Sequence, residues 1–453
     1  MTIRSVSTKM VKAKVKHPVF GVGEVLKERW SGMEVYVRFK SGVALWLRRN
    51  GLKFLTPVER LKPIPKTKPR PTKPGNFKSR RMLEAFKVGI VPYHDVEQFT
   101  FGREKELKRI NADFNDFKTN KGSVLIIEGE YGSGKTHLLD YVYSWALRKK
   151  YAVARVELDP FDVAPNRPKH IYREIARSLR FVNHNGDEQG FRDILREVAE
   201  FELPKSHIFL STAFNLIQQG EEPEPFWNWL EGESLGRDYL NYCRYWKLPV
   251  LLNHMPASDV YCYLLSGLSY ILQQIKAKGL IILIDEAETL FHLWYRSDQE
   301  MGLHFYKGLV STAMNKQGLT QVNREKLRKL DKGRADEFGF IHSGVRPVPY
   351  IYETPSNIFL IMALTPSVSN YYGQVMELAP NQIMRLSKLS RADYEMMLNR
   401  MLDLYKEAFP EFELNGAIRS ELFKGLIPLS SRGIRFFIRS TVETLDLFRY
   451  YGR

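Results

Sequence analysis

The stretch Gly129-Glu-Tyr-Gly-Ser-Gly-Lys-Thr136 constrains this chain more than any other, because of what flanks it. An apolar run, Ser123-Val-Leu-Ile-Ile127, leads in, and His137-Leu-Leu-Asp-Tyr-Val142 leads out. A buried strand, a glycine-rich turn and a helix, in that order, curl successive backbone N–H groups around an anion at the positive end of the helix. In this setting G-x-x-x-x-G-K-[ST] predicts a phosphate clasp. Gly129, Glu130, Tyr131, Gly132, Ser133 and Gly134 wrap the phosphates, Lys135 reaches the β- and γ-phosphates, and the Thr136 hydroxyl holds Mg²⁺, with His137 at the end of the binding stretch. The expected cofactors are ATP and Mg²⁺.

A clasp alone does not hydrolyse; it needs a second strand ending in carboxylates. Gly279-Leu-Ile-Ile-Leu-Ile-Asp285-Glu286 supplies one. Asp285 is the expected Mg²⁺ ligand beside Thr136, and Glu286 the residue that polarises the attacking water. A third apolar run, Asn357-Ile-Phe-Leu-Ile-Met-Ala-Leu-Thr365, ends in a hydroxyl, which makes Thr365 the candidate γ-phosphate sensor. A turn-forming role is the plainer alternative for Thr365.

Five candidate strands, Val124 to Glu128, Ala152 to Leu158, Leu280 to Asp285, Ile358 to Leu364 and Ile383 to Leu386, alternate with helical patterns, which predicts a mainly parallel α/β sheet. About 120 residues separate the second from the third, so a mostly helical insert is expected over residues 159–278. Its aromatic-rich part, Pro225 to Trp246, reads either as a partner-binding face or as the insert's core. Asn323 to Arg334 is basic and reads as a DNA-facing loop or a solvated helix.

Charge divides the chain unevenly. Residues 1–90 hold 22 Lys and Arg against 5 Glu, whereas the remainder is balanced. A basic block on a balanced body is the footprint of a polyanion partner, and DNA is expected through residues 1–90; a solubilising tail is the alternative. Within that block, residues 1–14 form a basic arm, 15–62 a module of short strands and glycine turns, and 63–79 a Pro/Lys-rich spacer. Two cysteines, Cys243 and Cys262, are too few for a disulfide framework. No apolar run approaches the roughly 18 residues that span a bilayer, so a cytoplasmic chain without membrane contact is expected.

Several stretches resemble known families. His17-Pro-Val-Phe-Gly-Val-Gly-Glu-Val25 with Val35-Tyr-Val-Arg-Phe-Lys-Ser-Gly42 resembles the Tudor-like modules of CarD-type transcription factors and UvrD-type helicases, which implies a small SH3-like barrel that binds RNA polymerase or another protein. Phe101-Gly-Arg-Glu-Lys-Glu-Leu107 is similar to the opening of ORC/Cdc6-like and STAND ATPases, which implies that Gly102 and Arg103 lie beside the adenine. Ser430-Ser-Arg-Gly-Ile-Arg435 resembles the second-sensor segment of AAA+ proteins and implies a γ-phosphate contact from Arg435, with Arg432 as second choice.

The longest resemblance, carried by Arg81 to Pro92, the Phe-Gly-Arg-Glu segment, the clasp, Ile284-Asp-Glu-Ala-Glu288 and Phe226-Trp-Asn-Trp-Leu-Glu-Gly-Glu233, is to the ATP-binding family of BREX phage-defence systems. It implies an AAA+-like P-loop ATPase core over 80–388 and a helical lid over 389–453, working as a homo-oligomer with a DNA helicase, methyltransferase or RNA polymerase partner. The competing reading is an ATP-gated adaptor that hydrolyses slowly and recruits its partner through the N-terminal module.

Overall fold

The computed structural model describes residues 13–17, 21–29, 34–39, 44–49, 52–55, 76–201, 206–233, 247–251, 257–329, 334–344, 346–412 and 416–451. Most of the basic arm, the spacer up to residue 75, Cys243, residues 234–246 and residues 330–333 lie outside them. The chain divides into two compact units, Met1–Pro74 and Gly75–Arg453.

In the first unit, β1 (Ala13–His17), β2 (Gly21–Arg29), β3 (Glu34–Phe39), β4 (Ala44–Arg48) and β5 (Lys53–Phe54) form an antiparallel sheet in the order β4-β3-β2-β1-β5. Period-two alternation buries Ala13, Val15, Val25, Val35, Val37 and Phe39 on one face. Among the described residues no pairing joins β4 to β5, so the expected barrel closure is not shown. A bulge between Val25 and Lys27 shifts the β2–β3 register.

The second unit opens with α1 (Phe77–Lys87), three residues earlier than the expected core, because the Asn76 side chain accepts a hydrogen bond from the Lys78 amide and caps the helix. Then follow α2 (Glu104–Asn120), β6 (Gly122–Glu128), α3 (Lys135–Arg148), β7 (Ala152–Glu157) and α4 (Pro168–Ser178). The insert continues through β8 (Phe181–Val182), β9 (Glu188–Gln189), α5 (Phe191–Val198), α6 (Leu210–Gln218) and α7 (Glu224–Leu230) to α8 (Ser258–Leu272), which returns the chain to β10 (Leu280–Asp285). After α9 (Arg296–Ala313) and α10 (Arg324–Lys329) come β11 (Ile358–Leu364), α11 (Asn370–Glu377) and β12 (Ile383–Arg385). The last helices are α12 (Arg391–Ala408), α13 (Gly416–Leu426) and α14 (Ile434–Tyr451).

The five expected strands form one sheet in the order β12-β6-β11-β10-β7, with every pairing parallel. The clasp strand β6 and the acidic strand β10 are therefore not neighbours; β11 lies between them. Register places Leu364 opposite Glu128 and Asp285 opposite Glu157, so the residues that follow each strand gather along one edge. Alternation divides the core. Leu125, Ile127, Leu283 and Ile361 pack under α2 and α3, while Val124, Ile126, Ile282 and Leu360 face the insert and α9.

Phe226, Trp227 and Trp229 are fully buried in the insert, so this part of the aromatic segment is core. The segment 76–101 has a different allegiance from the one its position suggests. Met82, Leu83, Phe86, Val96 and Phe99 pack against Tyr394, Met401, Phe437 and Leu445 of the C-terminal helices, not against the sheet. Ser79 Oγ donates to Glu407 at 2.8 Å and Arg80 Nε to the Ala408 carbonyl at 2.9 Å, fixing α1 to α12. Among the described residues no helix is long and apolar enough to cross a membrane.

Candidate functional site

The glycine turn is shaped by positions that only glycine occupies readily. Gly132 and Gly134 have φ of +76° and +95°. A Cβ on Gly129 would stand 2.5 Å from Ser133 Oγ, so the turn closes tightly only because none is there. Helix α3 starts at Lys135 with no side-chain cap, leaving the amides of its first turn for an external acceptor.

Lys135 is buried, and its Nζ donates to the Gly129 carbonyl at 2.9 Å and to Thr365 Oγ1 at 2.8 Å. The Thr365 hydroxyl in turn donates to Glu288 Oε1, which lies 4.0 Å from Lys135 Nζ. Thus the expected lysine and sensor meet directly. Glu288, not singled out as a site residue from the sequence, completes the contact. Its second oxygen is buried without a hydrogen-bond partner, as is Ser133 Oγ of the turn.

At the end of β10, Asp285 is buried and Glu286 half-buried. The Glu286 backbone takes the left-handed conformation, φ +55° and ψ +38°, rare outside glycine and asparagine, and its amide donates to Asp285 Oδ1 at 3.1 Å. Burial, then the charges of Glu288 and Asp285, push the Glu286 carboxyl above its ordinary pKa, with Lys135 opposing. Asp285 Oδ2 faces Arg155 Nη2 at 3.4 Å, and Arg155 also pairs with Asp140 of α3. Burial pushes Asp140 up to about 6, Arg155 lowering it and Asp285 and Glu157 raising it.

Arg103 is buried, and its guanidinium is engaged by protein groups. It donates to the Ser133 carbonyl at 2.5 Å, the Ser387 carbonyl at 2.6 Å and Glu106 at 3.0 Å, bracing the glycine turn from below. Gly102, φ +63°, lies against the Asp393 carboxylate at the start of α12. His137 Nε2 meets Thr100 Oγ1 at 2.9 Å, and burial, then Arg103, lowers the imidazole to about 4. Tyr131 stands exposed at the crest of the turn.

The C-terminal helices reach the turn as well. A Cβ on Gly134 would stand 3.2 Å from Ile434 Cδ1, and one on Gly433 would stand 3.8 Å from the Gly132 carbonyl. Arg435 is exposed with its stem along Gly89, between exposed Val88 and Ile90, while Arg432 lies over the Phe436 ring at 4.1 Å.

The donor set suits a magnesium–nucleotide pair: a half-buried threonine hydroxyl and a buried aspartate are hard oxygen ligands for a hard cation, and the uncapped amides of α3 are hydrogen-bond donors for phosphate. Among the described residues no cluster of three or more His, Cys, Asp or Glu is arranged to hold a metal.

This strand order, turn and acidic strand tip define a P-loop architecture whose additional strand, β11, separates clasp from carboxylates. Residues 76–199 match the family of the BREX system ATP-binding protein BrxC/D. The match takes in α1, the glycine turn and β7, and stops before Asp285. Among the curated proteins none matches the chain. The crystal structure of Cdc6p from Pyrobaculum aerophilum is similar at 14% identity and a TM-score of 0.35, over 78% of this chain and 63% of its own.

Proposed function

We propose that the chain is a Mg²⁺-dependent ATPase that works on or with DNA as a component of a BREX-type system. The observation that carries the ATPase reading is the hydrogen bond between Lys135 and Thr365, made at the sheet edge where Asp285 and Glu286 also emerge. In this reading the free amides of α3 and Lys135 bind the β- and γ-phosphates, with the segment of Gly102 and Arg103 near the base. Thr136 and Asp285 hold Mg²⁺, which neutralises phosphate charge. Glu286 orients water and accepts its proton, a role suited by its raised pKa. Thr365 and Arg435 respond to the γ-phosphate.

The BREX-type setting draws on the match over residues 76–199. DNA contact draws on the basic excess of residues 1–90, and a Tudor-like module there would hold a helicase, methyltransferase or polymerase partner. A homo-oligomer would supply a neighbouring arginine to the site.

The test is ATP turnover by the full chain, with and without DNA. Wild type should hydrolyse ATP, Lys135→Ala should lose nucleotide affinity, and Glu286→Gln should bind ATP without turning it over. DNA affinity should fall steeply between about 50 and 200 mM salt. A wild-type chain inert with ATP and Mg²⁺ would overturn the ATPase reading, and full turnover in Glu286→Gln would remove Glu286 as the catalytic residue; hydrolysis indifferent to DNA beside a stable protein complex would favour the adaptor.

A further inference from the structure

Arg155 is a charged residue inside an otherwise apolar strand stretch, Ala152-Val-Ala-Arg-Val156. Alternation sends Ala152, Ala154 and Val156 toward the insert and puts Arg155, with Val153, on the face under α3. There the guanidinium pairs with Asp140, one turn along α3 from Thr136, and reaches Asp285 Oδ2 at 3.4 Å. Asp140, Glu157, Asp285, Glu286 and Glu288 act on one another electrostatically across this corner, and the cations among them are Arg155 and Lys135.

Buried and half-buried carboxylates that lie close together without a cation either take up protons or recruit a cation from solvent. Arg155 supplies that charge from within the fold. Its two contacts are unequal: the pair with Asp140 is close, whereas 3.4 Å to Asp285 is at the outer limit of a hydrogen bond. Asp285 is therefore the partner that can be released while Asp140 keeps the guanidinium in place.

We propose that Arg155 is a positioning residue that stands in for the metal's charge: anchored by Asp140, it neutralises Asp285 in the nucleotide-free chain, so that a divalent cation binds only together with nucleotide. This rests on the ATPase reading above. A simple brace between β7, α3 and β10 would affect stability but not the dependence of metal binding on nucleotide.

The test is Mn²⁺ binding to the full chain, followed by the loss of the free-ion electron paramagnetic resonance signal, with and without ADP. Wild type should bind Mn²⁺ saturably with ADP and at least about tenfold more weakly without it, the scale of one unit charge at close range. Arg155→Met should gain at least about tenfold in nucleotide-free affinity, and Arg155→Lys should behave as wild type. Asp140→Asn frees Arg155 to compete for Asp285, so its Mn²⁺ affinity in the presence of ADP should fall about tenfold. Should Arg155→Met show no cooperative thermal unfolding, Asp140→Asn decides. Nucleotide-free affinity unchanged in a folded Arg155→Met, or Asp140→Asn indistinguishable from wild type, overturns the proposal and leaves the ATPase reading intact. Failure of wild type to bind Mn²⁺ with ADP overturns that reading as well.

Discussion

Lys135 Nζ donates to the Thr365 hydroxyl at 2.8 Å across the sheet edge, joining the glycine turn after β6 to the end of β11. The hydroxyl passes a hydrogen bond on to buried Glu288, so it satisfies both a cation and an anion. Thr365→Val keeps the shape and removes the oxygen, leaving Glu288 short of a donor. The expected loss is about 1–3 kcal/mol of stability, read by urea denaturation, and turnover lower by about 100-fold. Thr365→Ser should recover most of both. A valine variant with wild-type turnover would make Thr365 a turn former only.

Glu286 and Glu288 are two residues apart and should respond oppositely to the same substitution. Glu286 is held ionised against its surroundings, as its raised pKa indicates, so Glu286→Gln should leave stability unchanged or slightly higher while lowering turnover at least about 100-fold. Glu288 has a buried oxygen without a partner, and Glu288→Gln would put an amide there with nothing to accept its hydrogens. A stability loss of about 1–3 kcal/mol is expected. Urea midpoints and single-turnover rates on the two variants separate the roles, and a destabilised Glu286→Gln would contradict the assignment.

What was local in the sequence was legible, and what depended on strand order was not. The turn at Gly129–Thr136 and the carboxylates at Asp285–Glu286 each sit inside one strand-and-turn unit, so pattern alone located them. Glu288 became a site residue only because β11 runs beside β10 and carries Thr365 to it. Arg155 could have been flagged as a charge inside an apolar strand, but its partners Asp140 and Asp285 come from a helix and a strand that the fold alone brings together. Likewise, α1 precedes the sheet in the chain yet packs on α12 and α14, an association that helical periodicity does not encode.

Histidines set opposite limits on the pH range of stability. Burial alone would lower the His342 pKa, but Asp259 and Asp336 at its two ring nitrogens, 3.6 and 2.9 Å away, hold it above its ordinary value. Its contribution is therefore complete below about pH 6.5 and lost as pH rises through the folded pKa. His304 works in reverse: burial, with Lys307, drives it down to about 4, so acidification from about pH 6.5 toward 4 destabilises the fold. His137, also near 4, adds to the acid side. Urea midpoints across pH should show both slopes, and His342→Gln should flatten the alkaline one.

The brace under the glycine turn predicts a coupled defect. Arg103→Ala removes three donors at once and leaves Glu106 buried with Ser387 as its remaining partner. Stability should fall by about 2–4 kcal/mol, and the Ser133 carbonyl loses its support, so nucleotide affinity should fall too. Arg103→Lys cannot span the Ser133 and Ser387 carbonyls as a fork does and should restore little. Calorimetric titration with ADP, run beside denaturation, checks that the two losses travel together.

Between the candidate sensors, the packing favours Arg435. Its stem runs along Gly89, where a Cβ would lie 2.3 Å from Arg435 Cγ, and its head group is exposed beside the segment that reaches the glycine turn. Arg432 instead lies over Phe436 on the surface. Arg435→Ala should slow hydrolysis with a stability change within about 0.5 kcal/mol, as for other exposed side chains, and Arg432→Ala should leave the rate close to wild type. Gly89→Ala gives an independent check: the left-handed φ of +73° and the contact with Cγ would both push Arg435 from its place, so its rate should fall toward that of Arg435→Ala. A slow Arg432→Ala beside a normal Arg435→Ala would reverse the assignment, because the ring contact would then be holding the working arginine ready.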